Sequence, residues 1–301
     1  MSRAAEQVEG EGSRDIATID ALERYTATHI NDAFGELLVD DTSRVLAEPF
    51  CREHGGPVES EIVGRDEAMV TANEEAWAGI YDADPLVARS LGIDPTGLTA
   101  EQMTTAMRER LPELREQRRL SDGSLAETIA VASLNRAFPE MITVKTHASD
   151  DERGVDLMMV DRLTGQPFGF LDIVTDEERG ERVASKMEKV RIRNERGGST
   201  IRYGVAMDAG RPVRASLDHV PTFAFQLPRE KLDEWLLEMS RSDGAPDELA
   251  ELVVGSIEQQ ATEFALDRKI PPVVRNKIAE LLTATLPWMR SMVPAPEIAA
   301  A

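Results

Sequence analysis

Residues 154–193 read GVDLMMVDRLTGQPFGFLDIVTDEERGERVASKMEKVRIR, and the fold is decided there. Two apolar runs, 155–160 and 168–174, flank a turn at 162–166, with Thr164-Gly165 as the turn signal. Thr164 lies eight residues from Asp156 and eight from Asp172. A hairpin closed symmetrically about Thr164 sets the two aspartates opposite each other on one face, with Cβ atoms roughly 4.5–5.5 Å apart. Carboxylates that close repel unless a proton or a cation lies between them. A lone charge in an apolar strand is costly as well. A divalent cation with oxygen ligands, Mg²⁺ or Mn²⁺, answers both problems, with Asp156 and Asp172 as its ligands. The alternative is a hairpin whose aspartates face water, as one side of an antiparallel sheet often does.

The stretch continues into an expected helix at 181–195. Val183, Met187 and Val190 form an apolar stripe at helical spacing. Arg182, Lys186, Lys189 and Arg193 form a basic stripe one residue out of phase. From residue 181 to 202 there are seven basic and three acidic side chains, against a chain total of −21. A basic helix face beside an acidic pair suits a phosphodiester: the carboxylates hold a metal and the cations meet the phosphate.

With these residues placed, the order of helix, three-stranded meander with an acidic pair, helix, strand and strand resembles the PD-(D/E)XK nuclease superfamily over roughly residues 124–228. The resemblance implies a restriction-endonuclease-like α/β fold, a mixed sheet flanked by helices. It also implies metal-dependent cleavage of DNA. Asp156 matches the Asp that ends the family's second core strand, and Asp172-Ile173-Val174 occupies the D/E-x-K tripeptide. Glu127, in SLAETIAVASLNRAF, matches the helical Glu. The departure is Val174, which stands where the family has a lysine that positions or activates the attacking water. Two readings follow. Either the lysine has migrated and Lys186 or Lys189 reaches back from the helix, or catalysis is lost and the fold serves as a binding or regulatory module. DNA-cleaving members of this fold often pair to cut two strands, so the resemblance leaves room for a homodimer, although the sequence itself is silent on oligomeric state.

Composition sets limits on this reading. There are 55 acidic residues against 34 basic, and only six of the basic residues are lysine. Many carboxylates with few lysines resemble proteins that work in molar salt, where screening relieves self-repulsion. The acidity excludes broad nucleic-acid affinity, though not a focal site. Cys51 is the single cysteine, so no disulfide framework exists, and Cys51 with His54 alone makes a poor zinc site. The polar, acidic start MSRAAEQVEGEGSRD is no signal peptide, and no apolar run approaches the roughly 20 residues of a membrane span. A cytoplasmic protein with no membrane partner is expected.

The rest of the chain reads as helical flanks. Residues 1–14 form an acidic tail, 15–120 a helical region, 121–240 the α/β core and 241–301 a helical hairpin for packing or dimerisation. Ile19, Leu22, Tyr25, His29, Ile30, Phe34 and Leu37 pattern a helix over 16–39, with His29 expected in its packed face. Thr99 and Gln102 form a capping box. Ser124 and Glu127 form a second one, which gives Glu127 a structural reason beside the functional one. The arginines of RERLPELREQRRL suit a salt-bridged helix. Asp150 and Asp151, in an acidic loop, are alternative metal ligands. Residues 141–147, 200–207 and 221–227 read as strands, and the stretch with Arg211, Arg214 and His219 as a loop.

Overall fold

The computed structural model describes residues 16–35, 37–46, 60–80, 83–151, 154–162, 166–176, 181–208, 211–241 and 246–293. Cys51, His54, the acidic tail and the Thr164-Gly165 turn lie outside them. The predicted meander forms. Strands β1 (Met141–Lys145), β2 (Leu157–Asp161) and β3 (Pro167–Asp176) pair antiparallel in sequence. Leu157 faces Leu171 and Met158 faces Phe170, and one step further in this register Asp156 stands against Asp172. A bulge between Met159 and Val160 breaks the symmetry only on the turn side.

A fourth strand, β6 (Thr222–Pro228), joins β3 in parallel, giving a mixed sheet in the order β1-β2-β3-β6. A parallel neighbour needs a crossover. Helix α8 (Glu181–Glu195) makes it, together with a separate two-stranded sheet of β4 (Ser199–Asp208) and β5 (Arg211–Val220). The stretch expected as a loop is therefore strand β5. Pro212 and Pro221 bracket it and hide the strand signal, yet Leu217 and Val220 are buried from it.

Helices complete the layers. They are α1 (Ile16–Phe34), α2 (Ser60–Trp77), α3 (Pro85–Ser90), α4 (Ala100–Glu109), α5 (Leu111–Arg119), α6 (Asp122–Ala137) and α7 (Ala148–Asp151) before the crossover. After it come α9 (Leu232–Arg241), α10 (Asp247–Leu266), α11 (Pro272–Glu280) and α12 (Leu286–Met292). Helix α6 is the central one and buries its residues from Leu125 to Asn135 almost without interruption. It packs on β1 and β3, while α8 packs on β3 and β6. One apolar core runs from Ile19 and Ile30 of α1 through the sheet to Ile278 and Met289. Residues 78–114 close a second, small core around Ile80, Met103 and Met107.

Four amides, three buried and that of Asn31 half-buried, fasten strands and loops to these helices. Asn135 donates to the Thr143 carbonyl and accepts from its N–H. Asn194 does the same for Thr222, Gln260 for Ala224 and Asn31 for Val39. Each clip satisfies both polar groups of one backbone residue, which burial would otherwise leave costly.

Several local expectations change. His29 is exposed and lines a surface pocket of about 310 Å³ with Arg24 and Tyr25, because the helix turns that side outward. Ser121, not Ser124, caps α6, its Oγ accepting from the Ser124 N–H. Glu127 is thus freed from the expected capping box and sits in the second turn. The Thr99–Gln102 capping box is present. Three of the arginines of 108–119 are engaged within the chain: Arg108 with Glu75, Arg115 with Glu74, and Arg119 with Asp20, Glu23 and Glu116. Among the described residues no helix is long and apolar enough to cross a membrane.

Candidate metal centre

The site lies where β2 begins. Three elements bring carboxylates to it. Glu127 comes from α6, Asp151 ends α7, and Asp156 immediately precedes β2. One oxygen from each lies within 4.8 Å of the others, so this triad can hold a metal ion. Its donors are hard carboxylate oxygens, the kind that suit Mg²⁺, Mn²⁺ or Ca²⁺ rather than a thiophilic metal. The two acids of the preceding loop are now distinguished. Helix α7 opens on the His147 carbonyl, which accepts from the N–H groups of Asp150 and Asp151. Asp150 then turns to β4 and accepts from the backbone of Arg202 and Tyr203, whereas Asp151 joins the triad.

Asp172 is not a member of that triad. Its Oδ1 is ion-paired with Lys186, and Arg193 Nη1 lies 3.7 Å from its Oδ2. Lys186 reaches back from the first turns of α8. Its Nζ also lies 3.4 Å from Asp156 Oδ2 and donates to the Ile173 carbonyl. An amine thus reaches both aspartates from the helix that follows β3, while Val174 on the strand is buried. Lys189, the other candidate, is exposed. Among the described residues no ion pair joins it to either aspartate, because it lies three positions further along α8 on an outward face.

The basic character of α8 is smaller at the surface than its composition. Arg191 is engaged by Glu188 and Glu195, and Arg193 donates to the Gly154 carbonyl at 2.7 Å. Gly154 has φ +82°, and a Cβ there would collide with the Arg193 guanidinium. Arg202 is held by Asp66 of α2 at 2.6 Å. Lys189 and Arg196 remain exposed.

Burial sets the electrostatics of the site. Burial pushes the Asp156 carboxyl well above the usual carboxylate range. Glu127, Asp151 and Asp172 add to this, and Lys186 only partly opposes it. Burial, then Asp151, raises Glu127 against the pull of Arg44, Lys145 and Lys186. Lys186 goes the other way: burial alone would lower its amine, but Asp156 and Asp172 together raise it, so it stays protonated. Buried carboxylates that resist ionisation fit a cation, which would favour their charged form.

Two contributors were not read from the sequence. Arg44 precedes its partners by about a hundred residues and carries no pattern of its own. The Asp66–Arg202 pair, likewise distant in sequence, braces β4 from the helical region. The chain was compared with known protein families, curated proteins and solved structures, and it matches none of them.

Proposed function

We propose that this protein is a metal-dependent phosphodiesterase acting on DNA, with a PD-(D/E)XK-like site whose lysine has migrated to α8. The observation that carries the reading is Lys186, whose amine touches both Asp156 and Asp172 beside a convergent carboxylate triad. Glu127, Asp151 and Asp156 would hold the cation. A bound divalent ion would supply charge neutralisation at the scissile phosphate and an acidified water. Lys186, kept protonated by its two aspartates, offers a hydrogen bond to a phosphate oxygen or to the attacking water. Asp172 and the Ile173 carbonyl aim that amine. Exposed Lys189 and Arg196 provide backbone contacts along the approach.

The test is cleavage of plasmid and oligonucleotides in molar KCl with Mg²⁺, Mn²⁺ or EDTA. Cleavage should require metal. It should fall by about 10²-fold or more in Lys186→Ala and Asp156→Ala, the scale of a lost acid–base or electrostatic group. Lys189→Ala should retain most of it. No cleavage by a folded protein under any of these conditions rejects the hydrolase. The second reading, a binding module on the same fold, would then stand; it is favoured by Val174 at the tripeptide. Double-strand cutting further calls for two copies, which light scattering with bound duplex would detect.

A further inference from the structure

The helical region before residue 121 carries no catalytic pattern in the sequence, yet it places a cation in the site. Residues 38–46 fold back on themselves and bridge Lys145, the last residue of β1. The Val45 N–H donates to the Lys145 carbonyl, and the Lys145 N–H donates to the Ser43 carbonyl. Asp40 Oδ1 accepts from Thr42 N, Thr42 Oγ1 and Arg44 N, which fixes the turn that presents Arg44. The guanidinium is anchored on the Thr146 carbonyl at 2.8 Å. It bridges two members of the triad, with Nη1 2.9 Å from Asp151 Oδ2 and Nη2 3.4 Å from Glu127 Oε2.

We infer that Arg44 is a built-in counter-ion of the Glu127–Asp151–Asp156 triad, one with which a divalent cation must compete. The inference rests on the reading of that triad as a cation site. A guanidinium hydrogen-bonded to two carboxylates lies within a few ångströms of any ion those carboxylates share. At that separation, in a partly buried setting, repulsion of a doubly charged ion is strong. It exceeds what is gained by keeping two side chains in place, since the backbone elements of Glu127 and Asp151 are already fixed by α6 and α7. Arg44 therefore stabilises the acidic cluster and holds cation affinity down.

Calorimetric titration of the full chain with Mn²⁺ tests this, using wild type, Arg44→Gln and Arg44→Lys, alongside thermal melts in EDTA. Gln keeps a hydrogen-bonding amide without charge, and Lys keeps the charge on a single point. Arg44→Gln should bind Mn²⁺ at least tenfold more tightly than wild type while melting at a lower temperature in EDTA. Arg44→Lys should stay close to wild type in affinity. A merely structural Arg44 would loosen the triad, so equal or weaker Mn²⁺ binding by folded Arg44→Gln overturns the inference. Should that variant not fold even with Mn²⁺ present, Arg44→Lys decides alone: affinity reduced tenfold or more marks a positioning role and overturns the counter-ion. Absence of Mn²⁺ binding in both wild type and variants overturns the counter-ion and the cation site together. Binding without DNA cleavage overturns only the hydrolase.

Discussion

Asp156 is the residue on which the site turns, because it alone belongs to both the acid triad and the Lys186 cluster. Its carboxyl is raised by burial, so the folded protein retains a proton that the unfolded chain releases at about pH 4. The stability tied to that proton is fully present below the unfolded value and is lost as pH rises through the folded one. In EDTA the melting temperature should therefore fall as pH climbs out of the ordinary carboxylate range. Asp156→Asn should flatten that dependence, and Mg²⁺ should raise the melting temperature most at the upper end, where the carboxylates are ionised. Parallel melting curves for wild type and Asp156→Asn across pH would refute the assignment. The opposition of Asp156 and Asp172 was legible because hairpin register follows from counting residues about Thr164. The identity of the third acid of the triad was not. Asp150 and Asp151 are neighbours of the same type, and only the turn of α7 decides which faces the triad.

Among the elements, α6 and α8 matter most, since they carry Glu127 and Lys186 to the acidic cluster. The clip between Asn135 of α6 and Thr143 of β1 fixes the strand that leads into α7. Asn135→Ala should cost about 1–3 kcal/mol in chemical denaturation, the penalty for leaving buried backbone groups unpaired. Gly154→Ala tests the seat of α8 in the same way. A methyl group there must push Arg193 off the Gly154 carbonyl and off Asp172, in a backbone conformation that costs a non-glycine residue about 1–2 kcal/mol. Its Lys186-dependent cleavage should fall with its stability; wild-type values of both would show that Arg193 holds nothing in place. The meander and α8 were readable from period-two and helical spacing. Strand β5 was not, because prolines at both ends mimic loop punctuation while its pairing with β4 supplies the strand. The cap of α6 was misplaced by three residues, since Ser121 and Ser124 are chemically equal in sequence and only the helix start separates them.

At the scale of the whole molecule, charge dominates. A net −21 repels itself in dilute buffer. The protein should melt several degrees higher in molar KCl than at low ionic strength, and a melting temperature indifferent to salt would dismiss adaptation to high salt. That expectation was available from composition alone. The reach of residues 38–46 into the site was not, because long-range ion pairs leave no local signature. Arg44 meets Asp151 across 107 residues, Arg202 meets Asp66 across 136, and Lys145 meets Glu23 across 122. These separations have a consequence in time. During synthesis the early partner of each pair emerges from the ribosome long before the later one exists. Contacts between distant segments also slow folding. The brace on β4 can close only once Arg202 has been made, so a nascent chain halted before β4 would hold every member of the triad and Arg44 while Asp66 still lacked Arg202 and β3 still lacked β6 along its edge.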